Sequence, residues 1–237
     1  MTELRFETRE SDSPWIDSVW TCRSDRVTDM TSVAVETWGL VFWEQRGTAY
    51  ASITGPESRC GTAPVPEGAD FTGIQFAVGT SLRVVAPPTL VDSGIALPDV
   101  TDRSFWLAGT HWETPHSDDA EALVERLVRD GVLVLDPLVA DVVRGHDPAA
   151  SERTLERRFK AATGLTQGAV RQISRAREAA LLLSAGEQSG DVVEKLGYYD
   201  EPHLARALRQ YVGRTAGELR ERGGGAIALD LGQRRTS

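Results

Sequence analysis

The residues best equipped for recognition chemistry fall into two short groups. Arg153, Glu156 and Arg157 lie within about one helical turn of each other, and so do Pro202, His203 and Arg206. A guanidinium carries paired N–H donors that match O6 and N7 of guanine, and a carboxylate can accept from the N4 amine of cytosine. Side chains spaced in this way share one side of a helix, as reading base edges in a major groove requires. A lone arginine on a helix is more often a solvated face, and Glu156 can equally pair with Lys160 four residues on. The matching places of Arg153, Arg157 and Arg206 in two similar units favour recognition.

Caps and stops define the elements that must hold these groups. Ser151 is a capping residue for a helix to about Ala162, and Gly164 stops it. Steps of 100° put Leu155, Phe159 and Ala162 on one side and Arg153, Glu156, Arg157 and Lys160 on the other. Asp200 caps a second such helix over 201–211, which turns Leu204, Leu208 and Tyr211 inward and Pro202, His203, Arg206, Arg209 and Gln210 outward. A long helix from Thr166 to Ser184 joins the two units and spans about 26 Å, enough to set the reading helices roughly one duplex turn, ~34 Å, apart. Arg171 and Arg175, one turn apart on it, are candidate phosphate partners. Four shorter helices complete the pattern. Asp118 is expected to cap 119–130 with Glu121 at its third position; Asp136-Pro137 opens another through Val139, Val142 and Val143, ending at Gly145. A third covers 191–196, and Thr215 with Glu218 forms a capping box for the last.

Upstream the pattern changes. Residues 32–43 and 48–54 are rich in β-branched and aromatic side chains with Gly47 at the turn, and 71–78 alternate Phe71, Gly73, Gln75 against Thr72, Ile74, Phe76. All six tryptophans precede residue 113. The expectation is an α+β chain: residues 1–117 a β-rich barrel or sandwich, 118–222 an all-helical domain, and 223–237 a disordered tail.

Charge narrows the place where a nucleic acid can bind. The chain of 237 residues has a net charge of −9, but residues 1–144 carry 11 basic against 23 acidic side chains and residues 145–222 carry 13 against 11. A polyanion is repelled by most of this surface, so contact must come from a local basic face in the last third. No apolar run suits a membrane span and the charged start does not suit a secretory signal, so a cytoplasmic protein without membrane contact is expected. Cys22 and Cys60 lack metal-site spacing and are expected to be plain thiols.

The segments SERTLERRFKAATGLT, RQISRAREAALLLSAG and VVEKLGYYDEPHLARALRQYVGRTAGEL together resemble the DNA-binding domain of AraC/XylS transcription regulators, over residues 118–222. The resemblance implies two helix-turn-helix units reading promoter DNA. Arg153, Glu156, Arg157, Pro202, His203 and Arg206 would then meet bases. Ser151, Lys160, Arg171, Arg175, Arg209 and Gln210 would meet phosphates. It also implies that the β-rich, cupin-like domain senses a small-molecule effector or forms a homodimer, and that RNA polymerase is a partner if the protein activates. Gln167 and Ala216 replace a proline frequent in the family, and Ala205 a hydroxyl residue.

For an effector pocket the candidates are Trp38, Phe42, Gln75, Trp106, His111 and Trp112, since pockets are apolar with few polar groups. Two other readings compete. One is a cupin-type metal-dependent enzyme with accessory helices, although His111, Glu113 and His116 do not have a common ligand spacing, so no metal or other cofactor is expected. The other is a DNA-repair sensor, which needs an activated cysteine that neither Cys22 nor Cys60 is placed to supply.

Overall fold

The computed structural model describes residues 4–25, 29–147 and 149–229. The chain begins with β1 (Leu4–Arg9), β2 (Ile16–Ser24), β3 (Asp29–Ser32), β4 (Gly39–Gln45), β5 (Thr48–Thr54), β6 (Gly61–Pro64), β7 (Ala69–Phe76) and β8 (Thr80–Leu82). After a 3-10 turn at Pro87–Thr89 come β9 (Gly94–Ala96), β10 (Ser104–Leu107), β11 (Thr110–Glu113), α1 (Ala120–Arg129) and β12 (Leu133–Leu135). Helices then follow without further strands: α2 (Pro137–Val143), α3 (Glu152–Thr163), α4 (Gln167–Ser184), α5 (Ser189–Leu196), α6 (Glu201–Tyr211) and α7 (Ala216–Arg220).

The β-rich half is built on an antiparallel sheet of order β1-β2-β7-β4-β5-β9, with β3 and β6 paired as a separate ribbon. The sheet does not close on itself, which corrects the barrel half of the sequence expectation. The β4–β5 hairpin turns through Arg46 and Gly47, both at positive φ (52° and 76°), the backbone twist that a two-residue hairpin needs.

Alternation along the central strands sends side chains to opposite faces. Leu40 and Phe42 of β4, Ile53 of β5 and Ile74 and Phe76 of β7 form one core with Phe105, Trp112, Leu123, Leu127 and Leu133. Thus α1, which the sequence groups with the later helices, packs against the sheet. Its start also differs from expectation. Asp118 is not the cap; Asp119 holds that position and accepts instead from the His116 amide at 2.7 Å. Glu121 does not close a capping box but grips Arg9 of β1 through two bonds of 2.6 and 2.7 Å.

The helical half has its own core of Phe159, Ile173, Ala176, Leu183, Leu204 and Leu208, and Val33, Ala34 and Val78 from the β-rich half enter the same cluster. Truncating Phe159 or Leu208, both essentially without solvent contact, is expected to cost about 2–5 kcal/mol. Beyond α7 the chain does not simply trail away: Ile227 bridges to Thr31, and Ala228 and Leu229 are buried. The expected disorder of 223–237 therefore does not hold for these three residues, and 230–237 lie outside the described residues.

Candidate nucleic-acid interface

The first unit is α2 and α3. Asp136 caps α2 by accepting from the Leu138 and Val139 amides, and its other oxygen pairs with Nε of Arg158 at 2.6 Å, tying α3 to the start of α2. Ser151 accepts from the Thr154 amide, and Gly164 ends α3 in the left-handed conformation (φ 77°). With Phe159 and Ala162 buried and Leu155 half-buried, α3 leaves Arg153, Glu156, Arg157 and Lys160 exposed. Glu156 forms no ion pair with Lys160 among the described residues. These side chains border a shallow depression that Pro88 from the β-rich half also borders.

The second unit is α5 and α6, joined by a turn through Gly197 at φ 67°. Asp200 accepts from the His203 amide at 2.7 Å, and Leu204, Leu208 and Tyr211 are buried. Pro202, Arg206, Arg209 and Gln210 are exposed, while His203 is half-buried. Its ring lies edge-on to Tyr198, and Nδ1 accepts the Tyr199 amide, so the neutral ring carries its proton at Nε2. Tyr199, in the same turn, is 89% exposed. Its signal in the sequence is a large aromatic directly before the Asp200 helix cap.

Between the units, α4 runs for 18 residues, about 27 Å. Thr166 caps it and Thr215 forms its capping box on α7, so Gln167 and Ala216 begin helices without proline. Arg171 is exposed. Arg175 is otherwise engaged: its guanidinium lies 4.3 Å above the Tyr198 ring and reaches the Gly197 carbonyl at 3.4 Å. It holds the α5–α6 turn against α4, and burial pushes the Tyr198 hydroxyl above its ordinary pKa.

The effector candidates separate. Trp38 stacks on Phe76 and donates to the Thr80 carbonyl, Phe42 meets Phe105 edge-on, and Trp112 donates to the Leu107 carbonyl; all three are core. Trp106 and His111 pair with each other on the β10–β11 hairpin, His111 exposed. Gln75 alone of the six borders an apolar cavity, which lies on the opposite sheet face among Trp20, Val41, Trp43 and Phe71. Cys22 is buried, and the half-buried Cys60 donates through Sγ to the Arg209 carbonyl. Among the described residues no three His, Cys, Asp or Glu side chains gather as a metal site would need, and no helix is long and apolar enough to cross a membrane.

Two helix pairs, each with a buried apolar stripe and an exposed face bearing arginine, have the layout of helix-turn-helix units. A family model described as a helix-turn-helix domain matches residues 148–222, so the chain carries an AraC-type helix-turn-helix domain, as DNA-binding transcription regulators do. No curated protein and no solved structure matches the chain.

Proposed function

We propose that this chain is a sequence-specific transcription regulator that reads promoter DNA with α3 and α6 together. The observation that carries this reading is the pair of exposed faces, Arg153, Glu156, Arg157 and Lys160 on one helix and Pro202, Arg206 and Arg209 on the other, within the matched domain. Arg153, Arg157 and Arg206 contact base edges, with Glu156, Pro202 and His203 beside them; Ser151, Lys160, Arg171, Arg209 and Gln210 meet phosphates. Arg175 serves the fold rather than the duplex, since its guanidinium is occupied by Tyr198 and Gly197. The β-rich half tunes this binding, through a small-molecule effector or by self-association.

Selection of bound duplexes from a random pool tests the reading. One asymmetric motif with two subsites about a helical turn apart is the expected result; a pool that stays random after repeated rounds removes it.

A further inference from the structure

The apolar cavity on the sheet face away from α1 has a volume of about 550 Å³, within the roughly 300–1,000 Å³ of small-molecule sites. Trp20, Trp43 and Phe71 form its sheet wall, and Met30 and Pro64 of the β3–β6 ribbon line it as well. Arg177 of α4 and Ala228 near the chain's end also border it, so both halves of the molecule build it.

Its polar groups are few. Trp20 Nε1 is buried and has no hydrogen-bond partner among the described residues. The indole lies against Gly73, where a Cβ would collide with its ring. Glu57 accepts the Ser32 hydroxyl at 2.6 Å, and burial pushes its carboxyl above the usual range. Arg177 pairs with Glu36 at 3.6 Å, the two side chains only 10% and 14% exposed. An anion would have to draw Arg177 away from Glu36 beside Glu57, and a cation would meet Arg177. An uncharged molecule meets neither cost.

We propose that this cavity binds an uncharged, largely apolar small molecule packed against the Trp20, Trp43 and Phe71 wall, and that the Arg177 wall makes ligand and duplex binding interdependent. The second half rests on the DNA-binding reading above; the first does not.

The full chain titrated with Nile red, an uncharged apolar dye with one ring carbonyl, tests both. Excitation of tryptophan should give saturable dye emission at one dye per chain. Ser52→Trp, which fills the cavity from β5, should weaken binding by about tenfold or more, Trp20→Phe should weaken it several-fold, and Trp106→Phe should leave it unchanged. Thermal unfolding reports whether each variant is folded. No saturable binding, or equal dye affinity in the wild type and a folded Trp20→Phe, overturns the site. Duplex affinity should shift several-fold when dye is saturating; equal affinity overturns the interdependence. Failure to bind any duplex would remove the interdependence together with the DNA-binding reading, while the dye titration still decides the cavity.

Discussion

The Ala34 amide donates to the Tyr211 carbonyl across 2.8 Å, so a loop of the β-rich half closes the last turn of α6. Two neighbouring carbonyls are met in the same way: Gln210 by the Cys60 amide at 2.9 Å and Arg209 by the Cys60 thiol at 3.2 Å. Carbonyls at a helix C-terminus have no partner within the helix and otherwise face water. Here a second part of the chain satisfies them, and α6 is thereby tied to two loops of the β-rich half.

Gly213 follows at φ 73°, and a Cβ there would stand 3.1 Å from Thr31 Cγ2 and 3.2 Å from Cys60 Sγ. Gly213→Ala therefore adds left-handed strain and crowding at once. Denaturant unfolding should show a loss of about 1–2 kcal/mol; an unchanged midpoint would mean that this junction is not tightly held.

Arg206→Ala removes an exposed guanidinium from the α6 face. Duplex affinity should fall by about 1–3 kcal/mol and preference should relax at one base pair. If the selected motif is identical in the variant, Arg206 is not a base reader.

Lys160→Ala should behave differently. A phosphate partner lowers affinity evenly across sequences and reduces the slope of log affinity against log salt by about 1. Titrations of one duplex over a range of salt concentrations measure that slope, and an unchanged value would place Lys160 off the backbone.

Arg175→Met separates two roles for one residue. Losing the stack on Tyr198 and the bond to Gly197 should cost about 0.5–2 kcal/mol in folding. The salt slope should not move. A drop of about 1 in slope would return Arg175 to the phosphate set.

The Arg9 guanidinium holds the Glu121 carboxyl at a pKa of about 2 against an ordinary 4.5. A carboxylate with a depressed folded pKa stabilises the fold above its ordinary pKa. That contribution is lost as pH falls from about 4.5 through about 2. Both side chains are about a third exposed, so the effect is modest, about 1 kcal/mol or less. Glu121→Gln should lower stability at neutral pH, with the two stability curves converging near pH 2; parallel curves would show that the pair does not report on folding.

Helix ends were the most legible part of this protein. Ser151, Asp200 and Thr215 each cap the helix their side-chain chemistry predicts, because a cap is a bond between residues three apart and needs no distant partner; Thr166, expected as the first residue of α4, turns out to cap it. Glu121 shows where that logic stops: its local partner lost to Arg9, 112 positions away in the chain. The effector candidates failed to gather for a related reason. Period-two alternation along β4 and β7 separates Phe42 from Trp43 and Ile74 from Gln75, but both faces are apolar.

From its own residues, then, the chain determined where most of its helices lie, where they stop, and that Arg153, Arg157 and Arg206 face outward, all of which follow from interactions a few positions apart. Tertiary structure alone decided that α1 fills one face of the sheet while the other keeps a cavity, and that Ala34 and Cys60 close α6. Those outcomes depend on which distant surfaces bury each other, and no local spacing carries that information.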